Sequence, residues 1–121
     1  PDIHNKPQVR SDGALLAHCI PAGFLKITRD AVAKFMLHYP ELNYIDHGTL
    51  IPDLFNHGCH KGVWYGEDYA FSRNWNEKCG QIWIIPDLDL THHTKDAAYP
   101  GNFHNYLLRQ PGGSEDPARV Q

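Results

Sequence analysis

Apolar side chains recur along this chain with more than one period, and the changes of period divide it into elements. Val32, Phe35, Met36 and Tyr39 fall at i, i+3, i+4 and i+7, the stripe of an amphipathic helix. Thr28 stands where an N-cap belongs, Asp30 falls in the first turn, and Pro40 stops the helix. A second helix is predicted from Glu67 to about Cys79, with Phe71, Trp75 and Cys79 on one face and Gly80 at the C-terminal cap. The run from Cys19 to Ile27 reads as a short strand, kinked near Pro21 and Gly23. Ile82-Trp83-Ile84-Ile85 is a continuous apolar run suited to a buried strand. Pro86 interrupts it, and the residues from Asp87 to Thr91 alternate as an edge strand does.

The remaining stretches lack a period. Residues 1–17 are polar and irregular, with a turn at Ser11-Asp12-Gly13. Residues 41–62 contain Asp46-His47-Gly48 and Asn56-His57-Gly58; they predict a long functional loop holding one short strand or helical turn. From Lys95 the chain reads as irregular through Phe103, residues 104–109 as one or two helical turns, and residues 110–121 as a disordered tail. The expected fold is α/β: a single domain over residues 1–121, with a small mixed sheet and two main helices packed on it.

Composition narrows the classes. With 121 residues there is room for one core, and three tryptophans, five phenylalanines and six tyrosines can fill it. A formal charge of −3 supplies no basic field and argues against a nucleic-acid partner. No apolar run approaches the roughly 20 residues of a membrane span. Cys19, Cys59 and Cys79 are odd in number and lack Cys-x-x-Cys spacing, which points to a reducing compartment, the cytoplasm. The chain opens on Pro1 rather than Met, and we read it as a fragment whose exposed sheet edges favour a homo-oligomer.

Candidate chemistry concentrates in Val63-Trp64-Tyr65-Gly66-Glu67-Asp68 and in Asp89-Leu90-Thr91-His92-His93. Glu67 and Asp68 open the second helix, where unpaired N–H groups and the macrodipole hold carboxylates ionised. Such a group can take a proton from an alcohol or bind a metal; acids also favour first turns for stability alone. Trp64 and Tyr65 precede the pair, and Gly66 permits a close backbone approach. Aromatic faces beside carboxylates suit a sugar, whose apolar face stacks while its hydroxyls meet acceptors; core packing is the alternative use of Trp64. Among nine histidines, His92 ends a strand and offers a neutral imidazole to a divalent ion. His93 should point to the opposite side. His57, Cys59 and His60 offer a separate zinc set without a fourth ligand.

In order, the segments Cys19 to Arg29, Tyr39 to Tyr44, Gly66-Glu67-Asp68-Tyr69-Ala70-Phe71-Ser72-Arg73-Asn74-Trp75, Gly80 to Trp83 and Asp89-Leu90-Thr91-His92 resemble the C-terminal half of GT-A type glycosyltransferases. They look most like a bacterial and phage group with a Gly-Glu-Asp-x-Ala-Phe motif and a later Leu-Gly-His. The resemblance covers roughly residues 18–105. It implies a nucleotide-sugar donor, a carbohydrate acceptor and a divalent metal, Mn2+ or Mg2+, on the donor diphosphate. It further implies Asp68 as the base on the acceptor hydroxyl, Glu67 as an acceptor or sugar contact, and His92 in the metal shell. Ser72 stands where relatives often carry Cys, and Thr91 where Gly is usual. Asp87-Leu88-Asp89 has the spelling of the family's metal motif but follows the acid pair instead of preceding it. The half of the fold that carries the nucleotide-binding strands is not in this sequence. Two other readings remain: a non-catalytic carbohydrate-binding or assembly module, and a small zinc-dependent hydrolase drawing on His57, His60 and His92.

Overall fold

A computed structural model describes residues 6–102 and Asn105. In chain order its elements are β1 (Leu15–Ala17), α1 (Arg29–His38), a 3-10 turn (Pro40–Leu42), β2 (Asn43–Asp46), β3 (Thr49–Pro52), β4 (Gly58–His60), β5 (Val63–Tyr65), α2 (Glu67–Lys78), β6 (Ile82–Ile84), β7 (Asp89–His93) and β8 (Ala98–Asn102). This is a mixed α/β structure, but the expected mixed sheet does not form among the described residues. The strands pair off two by two, β1 with β6, β2 with β3, β4 with β5 and β7 with β8. The described residues divide into two compact units, one of residues 6–7 with Leu16–Trp83 and another of Gln8–Leu15 with residues 84–102 and Asn105.

In the first unit the helices form as their sequences dictate. Thr28 Oγ1 accepts from Ala31 N–H at 3.1 Å, and Tyr39 N–H closes α1 on the Phe35 carbonyl at 2.9 Å. Pro40 starts the 3-10 turn instead of extending the helix. At the other helix, Cys79 and Gly80 N–H both end on the Trp75 carbonyl, at 2.8 and 3.0 Å. The predicted apolar faces then meet each other instead of a sheet. Phe35, Tyr39, Phe71 and Cys79 are buried together, with Leu25, Ile27, Leu42, Leu54, Phe55 and Trp75 packed around them. Ring centroids lie 4.9 Å apart for Phe35 and Tyr39, 5.5 Å for Phe55 and Phe71, and 6.1 Å for both Phe35–Phe71 and Phe71–Trp75. Aromatic pairs at these spacings add to the burial of their large areas.

The segment predicted as a strand between Cys19 and Ile27 is not one; β1 lies just before it. Pro21 carries no N–H for a ladder, and polar side chains of α2 take the place of a partner strand. Asn76 Nδ2 donates to the His18 carbonyl at 2.6 Å. Ile20 N–H donates to Ser72 Oγ at 3.2 Å, and Ala22 N–H to Asp68 Oδ2 at 3.3 Å. The helix residues are four apart and the backbone residues two apart, so their spacing along the helix (about 6.0 Å) comes close enough to that of two extended residues (about 6.6 Å) for three contacts.

Residues 41–62, expected as a loop, hold the 3-10 turn and two hairpins. His47-Gly48 joins β2 to β3 with φ of +48° and +79°, and Lys61-Gly62 joins β4 to β5 with φ of +49° and +80°. Positive φ at both positions is the type I′ geometry that matches strand twist. In β6, Ile82 is buried, Trp83 and Ile84 are half-buried, and Ile85 beyond it is exposed, so the apolar run is only partly interior.

In the second unit the expected turn at Ser11-Asp12-Gly13 is present. Arg10 holds Asp12 through Nε and Nη2 at 2.8 and 2.6 Å; that bond, with Ala14 N–H, draws the carboxyl down to about 2. The residues after Lys95, expected to be irregular, form β8, whose Pro100 and Gly101 pair with Thr91 and Leu90. Residues 1–5, the helical turns expected at 104–109 other than Asn105, and the tail expected at 110–121 lie outside the described residues. No helix among the described residues is long and apolar enough to cross a membrane.

Two outcomes test this packing. Ser72 is fully buried, so Ser72→Ala should strand the Ile20 N–H and cost about 1–3 kcal/mol, read as a lower urea midpoint at unchanged slope. Burial pushes the Tyr39 phenol up to about 12 from an ordinary 10.0, while its hydroxyl donates to the Asn74 carbonyl at 2.7 Å. The folded chain thus favours the protonated phenol. Its contribution is fully present below pH 10 and is lost as pH rises toward 12. Urea melts across that window should show the decline, and Tyr39→Phe should flatten it.

Candidate functional site

Gly66 alone separates β5 from α2, so the strand delivers its side chains directly to the helix N-terminus. As N-cap, Gly66 is extended (φ −67°, ψ 170°), and its carbonyl accepts from Ala70 N–H at 2.8 Å. Strand alternation sends Trp64 to one face of the β4–β5 hairpin and Val63 and Tyr65 to the other. Trp64 is 66% exposed. Tyr65 is half-buried; the Arg73 guanidinium stands 4.3 Å over its ring and the His60 ring 6.2 Å from it. Of the two aromatic candidates, Trp64 is the one presented to solvent. The exposed His57 ring lies 6.1 Å from it, tilted by 56°.

The two carboxylates differ. Glu67 is exposed in the first turn. Asp68 is half-buried, with Oδ1 accepting from Tyr69 N–H at 2.8 Å and Oδ2 from Ala22 N–H at 3.3 Å. Two backbone donors orient the group. A carboxylate accepts at about four lone-pair positions, so each oxygen retains room for a hydroxyl proton. Asp68 is therefore both a tie for the segment at Ala22 and an oriented acceptor.

His92 belongs to the second unit, whereas Trp64, Tyr65, Gly66, Glu67 and Asp68 belong to the first. It is exposed on β7 opposite Tyr99, and the strand continues through His93, so the two imidazoles take opposite faces. The nearby Asp87-Leu88-Asp89 is tied up internally: Asn102 Nδ2 donates to Asp87 at 3.2 Å and to Asp89 at 2.8 Å. An open groove on this hairpin is lined by Asp89, Leu90, Thr91, Pro100, Gly101, Asn102 and Asn105.

Among the described residues no three His, Cys, Asp or Glu side chains gather to hold a metal. The zinc set suggested by His57, Cys59 and His60 fails on strand alternation. Cys59 shares a face with its cross-strand partner Trp64, while His60 turns to α2, with Nε2 3.8 Å from Glu77 Oε1. A divalent ion thus finds one candidate imidazole at His92 and no assembled shell. The three thiols are free, Cys19 and Cys59 exposed and Cys79 buried.

Sequence reasoning missed Ser72 and Asn76 as partners of Asp68. Their signal was the four-residue spacing Asp68, Ser72, Asn76, a polar stripe beside the apolar face. His57 was noticed as a metal ligand, not as the neighbour of Trp64. Comparison with known proteins returns no matching family model, no matching curated protein and no matching solved structure.

The carboxylates should separate by mutation. Asp68→Ala should cost about 1–2 kcal/mol and speed amide exchange at Ala22 and Tyr69. Glu67→Ala should cost no more than about 0.5 kcal/mol, the helix-dipole contribution at an exposed position. Denaturation curves paired with exchange rates measure both.

Proposed function

We propose that this chain is a glycosyltransferase-like domain that carries the acceptor side and the catalytic base of a nucleotide-sugar transferase. The observation that supports it best is the oriented carboxylate of Asp68 at the opening of α2, one residue beyond Glu67 and close in sequence to the exposed Trp64. In this reading Trp64 receives the apolar face of the acceptor saccharide, and Glu67 takes one of its hydroxyls. Asp68 accepts the proton as a second hydroxyl attacks the anomeric carbon of the donor, and the nucleoside diphosphate leaves. Tyr65 serves by docking the hairpin on α2, and Gly66 by letting the acceptor approach the backbone.

The finer fold assignment, part of a GT-A architecture, is part of this proposal. So is the donor-bound Mn2+ or Mg2+, for which His92 is the one imidazole proposed here. The described residues do not build that ion's shell. The cytoplasm suits three free thiols. The two-stranded sheets leave edges through which copies of the chain could associate.

A second reading is favoured by the bond from Ala22 N–H to Asp68 Oδ2. A carboxylate committed to holding the backbone fits a carbohydrate-binding module without turnover. The readings separate in one assay: the chain is incubated with a panel of nucleoside-diphosphate sugars, saccharide acceptors and Mn2+ or Mg2+, and released nucleoside diphosphate is measured. The transferase reading expects acceptor-dependent release that falls about 100-fold or more in Asp68→Asn. Saccharide binding without release selects the binding module. Neither binding nor release rejects both.

A further inference from the structure

We propose that residues 21–24 form a strap on the first turn of α2, closed by the Ala22 N–H on Asp68 and able to open there while both of its ends stay fixed. Burial sets the ends. Ile20 is 8% exposed, and its N–H lies 3.2 Å from the Oγ of the fully buried Ser72. Leu25 packs against the core of Phe35, Tyr39, Phe71 and Cys79. Between them Pro21, Ala22, Gly23 and Phe24 are all exposed, Phe24 to 71%. Among the described residues their one hydrogen bond runs from Ala22 N–H to Asp68 Oδ2, at 3.3 Å and in the open. A segment with an exposed bond and no buried side chain opens at lower free energy than the fold that anchors it. The chain bends at Gly23 and Phe24, and open space stands where a Cβ on Gly23 would be, so the glycine backbone is free to absorb the movement.

As a gate on the carboxylate that the reading above makes the base, the strap rests on that reading. A lone hydroxyl fits beside the Ala22 bond, but a saccharide that carries the hydroxyl must also clear the peptide of Pro21 and Ala22 on that side of Oδ2. Opening removes the peptide and gives the oxygen to the ligand. The closed strap then lowers the apparent affinity by the fraction of molecules that are open.

Amide exchange of the whole chain, followed by NMR as urea rises below the unfolding transition, tests the strap without a ligand. Ala22 should be protected about 10-fold, as one hydrogen bond to a carboxylate gives, with little dependence on urea. Ile20 should be protected about 1,000-fold or more and lose protection along the slope of global unfolding. Equal protection and equal slopes at the two amides, or no protection at Ala22, overturn the strap. Methyl glycosides of glucose, galactose, mannose and N-acetylglucosamine, titrated into the native chain and into Ala22→Pro, test the gate. The proline removes the donor, so a glycoside that binds should bind more tightly by the Ala22 protection factor, about 10-fold, and the Ile20 amide reports that the variant is folded. In the native chain, saturating glycoside should abolish the protection of Ala22 and spare that of Ile20. Unchanged affinity in folded Ala22→Pro, or protection retained at Ala22 in the bound native chain, overturns the gate and leaves the carbohydrate reading intact. Glycosides that bind neither form reject that reading and the gate together, while the urea series alone decides the strap.

Discussion

Asp68, Ser72 and Asn76 do for the backbone of residues 18–22 what a neighbouring strand does in an ordinary sheet. They stand one turn apart on α2, and they supply the acceptors and the donor that a proline-interrupted segment cannot obtain by pairing. Ser72 is the pivot: its hydroxyl donates to the Asp68 carbonyl at 3.1 Å and accepts from Ile20 N–H at 3.2 Å. The same helix turns Phe71, Trp75 and Cys79 to the core it shares with α1. One element therefore satisfies a stray backbone with its polar stripe and buries its apolar stripe. The placement of the site follows, because β5 enters α2 through a single residue.

Asp68 anchors the segment at Ala22, and in the proposed reading it also takes the acceptor's proton. The two roles are compatible in a carboxylate because the backbone donors occupy only part of its lone-pair capacity. Glu67, next to it and exposed, carries no such load, and exposed charges interact weakly through water. Adjacent acids on one turn thus differ in kind, for reasons of burial and bonding and not of sequence.

Both helices were legible because each carries a long apolar stripe with chemical stops at its ends: Thr28 and Pro40 for α1, Gly66 and Gly80 for α2. The apolar run at Ile82 was legible as a strand for the same reason. The hairpins were not. Their strands hold three or four residues, too few for an alternation to register, and their turns place His47 and Lys61 where Asn or Asp would have announced the geometry. The strand β8 was hidden by Pro100 and Gly101, tolerated because its ribbon has two strands and hence free edges. The segment at Cys19 reads as a strand from its residue types, yet its backbone is bonded by a helix, and no periodicity announces side chains acting as a ladder. At the site, the acids and Trp64 were visible from residue type and order. The neighbourhood of His57 and the tie on Asp68 depend on contacts between residues far apart in sequence or on opposite strands, which spacing does not encode.

The most direct test of the account follows the amide proton of Ala22 through an acid titration by NMR, alongside the Asp68 side-chain carbon. If the carboxylate holds that N–H, the Ala22 and Tyr69 amides must move with the Asp68 carbon and share its midpoint. An Ala22 amide that stays still while Asp68 titrates would contradict the tie on which the placement of the whole site depends.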